Sequence, residues 1–133
     1  MKFYFQLTVF TALIFLLWLP AFALDQVPEV DSGTLNKWIS EKRELVLIDV
    51  GSQGDFTEGH IAGSTSVPLT KDFIEQIKRL PKEKTYVITC PSGSRSLRAA
   101  KGMIENGFEK VYNLKGGIAD WIRKGFKVNR GNL

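Results

Sequence analysis

The chain has 133 residues, with 18 Lys and Arg against 14 Asp and Glu, one His and one Cys. That length fits one ordinary globular domain, and a single cysteine excludes an internal disulfide framework. One histidine beside one cysteine makes a metal cluster unexpected, and the mild, interspersed positive charge offers no basic patch for nucleic acid or an anionic membrane.

Met1-Lys2 is a short basic start, Phe3 to Leu19 is almost wholly apolar, and Pro20 precedes Ala21-Phe22-Ala23, a small-x-small cleavage pattern. The pattern predicts a signal peptide over 1–23, cut after Ala23, and a domain over 24–133. The mature protein is then expected to begin at Leu24, in the periplasm or outside the cell. The competing reading is an uncleaved anchor, because the apolar run is nearly long enough to span a bilayer. Membrane association is expected only in that case. Loss of Lys2 leaves 17 Lys and Arg against 14 Asp and Glu. A lone thiol in an oxidising compartment points to reactivity, and a domain of about 110 residues can be held by its core alone.

Val27-Pro28-Glu29-Val30 reads as a short extended start. Asp31 or Ser32 then caps a helix whose apolar residues Leu35, Trp38 and Ile39 fall at helical spacing. Leu45-Val46-Leu47-Ile48-Asp49-Val50 is a continuous apolar run, expected of a strand buried on both faces of a parallel sheet. Asp49 falls at its C-terminal edge, where open α/β sheets place their sites. The Gly-rich stretch 51–64 reads as about one turn of helix with loops, leading to a short strand at Ser64-Thr65-Ser66-Val67. His60 within it has two readings, a base that reaches a nucleophile or a structural residue orienting the Asp49 loop, and the second is favoured. Pro68-Leu69-Thr70 introduces a helix with Phe73, Ile74, Ile77 and Leu80 on one face, stopped by Pro81.

Thr85-Tyr86-Val87-Ile88-Thr89 is strongly β-type and leads into Cys90-Pro91-Ser92-Gly93-Ser94-Arg95-Ser96, followed by a helical run over 97–104. A strand that delivers a cysteine to a tight loop opening a helix makes an anion cradle, because unpaired helix N–H groups and the positive end of the dipole face the loop. Cys90 is therefore expected to ionise more readily than a free thiol and to act as a nucleophile. A buried structural cysteine is the plainer reading. It gives no reason for a Gly that allows backbone approach, an Arg and three hydroxyls around the sulfur.

Asn106-Gly107 stops the next helix, Val111-Tyr112-Asn113-Leu114 is the last strand, and Gly116-Gly117 turns the chain into a short helix over 118–122. Strands alternate with helices, so the expected fold class is α/β, a single domain with a parallel sheet and helices on both faces. There is no repeat, low-complexity tract or linker.

Four stretches in this order resemble the rhodanese family in its exported single-domain form. They are Leu47-Ile48-Asp49-Val50, Phe56-x-x-Gly59-His60-Ile61-x-Gly63, Cys90-x-Ser92-Gly93-x-Arg95-Ser96, and Val111-Tyr112-Asn113-Leu114-x-Gly116-Gly117 with Trp121. The resemblance implies a five-stranded parallel sheet and sulfurtransferase activity through a persulfide on Cys90. It implies a cradle of N–H groups from Ser92 to Ser96, with Pro91 in the loop, and Arg95 closing the loop. A small sulfur-donor anion such as thiosulfate and a thiol or cyanide acceptor follow as partners, with no metal or organic cofactor, and a monomer is expected.

Two positions depart from the family pattern. Gly51 stands where the family usually has Arg, so Asp55 is expected to need another partner or to face water. Pro91 removes one N–H donor and a common cation from the loop, so activity on thiosulfate is expected to be weak.

Two other functions compete. A phosphatase or arsenate reductase with a similar Cys–Arg loop places five residues between Cys and Arg. Here there are four, Pro91 to Ser94, which shortens the loop by up to about 3.5 Å, and Thr89 stands where such enzymes carry His. A non-catalytic rhodanese-like binding module is the third reading, since fold alone does not prove function, although such modules generally lack the cysteine.

Overall fold

The strands pair into one five-stranded sheet, parallel throughout, in the order β1-β5-β4-β2-β3. The strands are β1 (Glu29–Val30), β2 (Val46–Asp49), β3 (Thr65–Ser66), β4 (Thr85–Thr89) and β5 (Lys110–Leu114). Between them run α1 (Ser32–Ser40), α2 (Gln53–Glu58), α3 (Phe73–Ile77) and α4 (Ser94–Glu105), and α5 (Gly117–Arg123) follows the last strand. This computed structural model describes residues 26–131, and the expected leader over 1–23 lies outside the described residues.

Strand alternation splits the core in two. Leu47 pairs in register with Val87 and Ile48 with Ile88, so successive residues of each strand face opposite sides of the sheet. On one side Ile48, Tyr86 and Ile88 pack with Phe73 and Ile77 of α3 and with Ala99, Ala100 and Met103 of α4. On the other, Leu47 and Val87 pack with Leu35 of α1 and with Ile118 and Trp121 of α5. Both faces of β2 and β4 are therefore covered, which is why residues 45–50 read as a continuous apolar run and 85–89 as strongly β-type.

Local chemistry sets the helix starts. Asp31 caps α1, its carboxylate accepting from the Thr34 amide at 2.9 Å and the Thr34 hydroxyl at 2.8 Å. The Ser32 hydroxyl donates to Asp120 at 2.7 Å and ties α1 to α5. The run expected as a helix over 97–104 begins three residues earlier, at Ser94. Gly93 adopts a left-handed φ of 92° and turns the chain so that Ser94 to Ser96 already lie in the first turn. The expected single turn in the 51–64 stretch is a six-residue helix, because Ser52 and Asp55 form a reciprocal capping box at its start. The apolar face expected to reach Leu80 leaves regular helix at Ile77; the Leu80 amide bonds back to the Ile77 carbonyl in a tight final turn before Pro81.

β4 is the middle strand, so the loop that follows it emerges at the centre of the sheet's C-terminal edge, beside the end of β2. Open α/β sheets bind their ligands there.

Candidate active site

Cys90 directly follows β4 and is fully buried. Its Sγ accepts from the Gly93 amide at 3.1 Å and from the Ser96 amide at 3.3 Å, and the Ser96 hydroxyl lies 3.3 Å away. The sulfur therefore sits against the first turn of the twelve-residue α4, where backbone donors and the helix dipole favour negative charge. A run of amides from Ser92 to Ser96 was the sequence expectation, and the two that donate to Sγ are those of Gly93 and Ser96. The hydroxyls of Ser92 and Ser94 instead lie 3.4 Å apart at the exposed outer edge of the loop. Pro91, which has no N–H, contributes its carbonyl.

That carbonyl belongs to a second support absent from the sequence reading. The Ile118 amide donates to the Cys90 carbonyl at 2.9 Å, and the Ala119 amide donates to the Pro91 carbonyl at 3.0 Å. The loop is thus clamped between the starts of two helices, α4 on the sulfur side and α5 on the carbonyl side. Gly117 makes the approach possible. A Cβ there would lie 2.4 Å from the Cys90 carbonyl oxygen. The Gly116-Gly117 pair was visible in the sequence as a turn, but its contact with the cysteine loop was not.

The Arg95 Nη1 pairs with Asp55 Oδ2 at 3.0 Å. Asp55, which the Gly51 departure left without an assigned partner, is thereby joined to the cysteine loop. Its carboxyl is held below the usual range by hydrogen bonds from Ser52, with Arg95 adding to the effect. The other departure has a packing explanation. A Cβ at Gly51 would stand 3.0 Å from Asp49 Oδ1 and 3.2 Å from Pro91 Cδ, so the proline ring fills the space beside a residue with no side chain.

Asp49 closes β2 with its carboxylate buried, Oδ1 accepting from the Gly51 amide at 2.9 Å. Burial pushes its pKa up, against the opposing pull of that amide. The folded state therefore holds this proton more tightly than the unfolded chain, and the contribution of Asp49 to stability falls as pH rises from the ordinary value of 3.8 through the folded one. Asp49→Asn keeps the acceptor for Gly51 and removes the buried charge. Urea unfolding of this variant should show a gain on the order of 1 kcal/mol at neutral pH, the scale of a desolvation penalty. The gain should vanish below the ordinary carboxyl value. An equal gain at both pH values would show that charge is not the cause.

His60 is also buried. Its Nδ1 donates to the Phe56 carbonyl at 2.7 Å, its ring stacks on Phe56 with centroids 3.7 Å apart, and its backbone pairs with Asn129. Among the described residues it makes no hydrogen bond to Cys90. These contacts tie the end of α2 to the C-terminal segment, and His60 also acts electrostatically on the Asp49 carboxyl. A cleft of about 260 Å³ opens beside Pro91, lined also by Asp49, Asp55, Ile118 and Ile122.

Comparison with known proteins agrees with this architecture. Residues 32–124 match the family described as the rhodanese-like domain. A sulfurtransferase of Allochromatium vinosum is 30% identical over 102 residues, 77% of this chain and 94% of that protein. The thiosulfate sulfurtransferase GlpE of Coxiella burnetii is 34% identical over 88 residues, covering 65% and 81% of the two chains. Among solved structures, a rhodanese-related protein of Thermoplasma volcanium superposes with a TM-score of 0.68 at 27% identity, over 77% of this chain and 97% of that one. The rhodanese-like domain of an Anabaena protein shares the fold with a TM-score of 0.71 at 24% identity, over 77% and 79% of the chains.

Proposed function

The chain belongs to the rhodanese family, and from that premise we propose that it is a sulfurtransferase that carries a sulfane sulfur as a persulfide on Cys90. The observation that carries this reading is the pair of amides, Gly93 and Ser96, aimed at a single sulfur at the start of α4. The Cys90 thiolate attacks the outer sulfur of a donor such as thiosulfate. A new S–S bond forms, the donor's own S–S bond breaks, and sulfite leaves with the bonding pair. A thiol or cyanide acceptor then attacks the outer sulfur of the persulfide and returns Cys90 as thiolate. Both steps move negative charge onto or off the position the two amides face, so the donors stabilise the nucleophile and the leaving thiolate alike. The remaining residues act on the loop: α5 holds its carbonyls, and Arg95 with Asp55 ties it to α2.

Thiosulfate is the donor to try first, because the GlpE relative carries that name. Incubation of the protein with thiosulfate, followed by intact mass measurement, should show the gain of one sulfur atom, reversed by cyanide. A chain that gains no sulfur from thiosulfate or from a persulfide donor, yet folds, would instead be a binding module. Export through the 1–23 leader, with the mature chain starting at Leu24, belongs to the same proposal, and N-terminal sequencing of the protein from cells tests it.

A further inference from the structure

A line of three hydrogen bonds runs from the buried thiol to the surface of β1. The Ser96 hydroxyl lies 3.3 Å from Cys90 Sγ and donates its single proton to Asn113 Oδ1 at 2.6 Å. Asn113 Nδ2 in turn donates to Glu29 Oε2 at 3.0 Å. Glu29 and Asn113 are register partners on the adjacent strands β1 and β5, and Ser96 and Asn113 are both buried. An ionised carboxylate can only accept, so Glu29 fixes the sense of the whole line. It takes the Asn113 amide proton, which leaves Oδ1 facing Ser96, which in turn takes the hydroxyl proton. The Ser96 oxygen therefore faces the sulfur with a lone pair, and any proton shared across the 3.3 Å contact comes from the sulfur.

We propose that Glu29 and Asn113 are positioning residues that act through Ser96, keeping its hydroxyl turned from the Cys90 sulfur and so restraining the reactivity of the thiol until the reaction draws the hydroxyl round. When the sulfur becomes an anion, the Ser96 lone pair faces it unfavourably. The hydroxyl can turn to donate a third hydrogen bond to the sulfur only by abandoning Asn113. Asn113 cannot flip to compensate, because its oxygen would then face the Glu29 carboxylate. Replacing Glu29 by Gln lifts the constraint. A glutamine amide can donate to Asn113, whose Nδ2 then donates to Ser96, whose hydroxyl then donates to the sulfur.

Among the described residues, other charged groups near the loop are Arg95 with its partner Asp55, Asp49 at the end of β2, Asp120 beside Gly116, and Glu58 and Arg130 at the Pro91 cleft. Lys101 lines the same surface cleft as Glu29. All are left in place by the substitutions below.

The test reads thiol reactivity rather than sulfur transfer, so it can fail while the sulfurtransferase reading stands, and the reverse. Alkylation by iodoacetamide is followed against pH in the full chain. On the acid side of the profile, Glu29→Gln should react about three- to tenfold faster than wild type, the scale of one added hydrogen bond to a charged group. The whole profile should move to lower pH. In a Ser96→Ala background the line is cut, and Glu29→Gln should then change nothing. A shift carried by buried hydrogen bonds should also survive high salt, whereas direct repulsion from a surface carboxylate should be screened. Superimposable profiles for Glu29→Gln and wild type, a shift that persists without the Ser96 hydroxyl, or one that disappears in salt would each overturn the proposal.

Discussion

Replacing Cys90 by Ser should remove sulfur transfer and leave the fold standing. A serine hydroxyl offers neither a thiolate nor an atom that can form and release an S–S bond. The loss in kcat/KM should therefore be about 10⁴-fold or more, as for other enzymes stripped of their nucleophile. Stability should change by less than about 1 kcal/mol, because the oxygen is smaller than sulfur, leaves little void, and can accept from the same Gly93 and Ser96 amides. Two measurements check this: intact mass after thiosulfate, with no sulfur gained, and a urea midpoint close to that of the wild type. Transfer that persists in a folded Cys90→Ser protein would rule out a persulfide on this residue.

The largest effect on stability should come from Gly117→Ala, a change of one methyl group. Gly117 has φ of +63°, and a Cβ there would meet the Cys90 carbonyl oxygen at 2.4 Å, the Pro91 carbonyl oxygen at 2.6 Å and the Gly93 amide nitrogen at 2.7 Å. All three are backbone atoms of the cysteine loop, so the methyl group cannot be accommodated by a side-chain rotation. Either α5 moves off the loop and forfeits the Ile118 and Ala119 hydrogen bonds, or the loop moves and the sulfur leaves its amides. A cost of about 3–5 kcal/mol is expected, at the upper end for single substitutions. Gly125→Ala is the control. It has a similar φ of +83° but open space around the built Cβ, so it carries only the conformational cost, about 1 kcal/mol. Equal losses for the two variants would mean that backbone strain, rather than contact with the loop, governs both.

The α/β class and the strand-loop-helix around Cys90 are legible in the chain before it folds, because both are written in local pattern. The apolar stretches at 46–48 and 86–88 follow from burial on two faces, and Asp31 announces its helix through a hydrogen bond spanning three residues. Arg95 was visible as a member of the loop, but its pairing with Asp55 depends on where α2 lands beside α4, and no periodicity encodes that. His60 carried the signal of a lone histidine in a Gly-rich stretch, and only the stacking on Phe56 and the bridge to Asn129 show which segments it fixes. Gly117 looked like any turn glycine until α5 was seen to stand against the carbonyls of the cysteine loop. The bond between Glu29 and Asn113 joins residues 84 positions apart, and it exists because β1 inserts at the edge of the sheet beside β5 rather than beside its sequence neighbour β2. Residue type and spacing report what a segment buries or exposes within a turn or two of chain. Which amides, carboxylates and glycines then meet around the sulfur is set by the order in which the strands assemble, and that order is a property of the packed core as a whole.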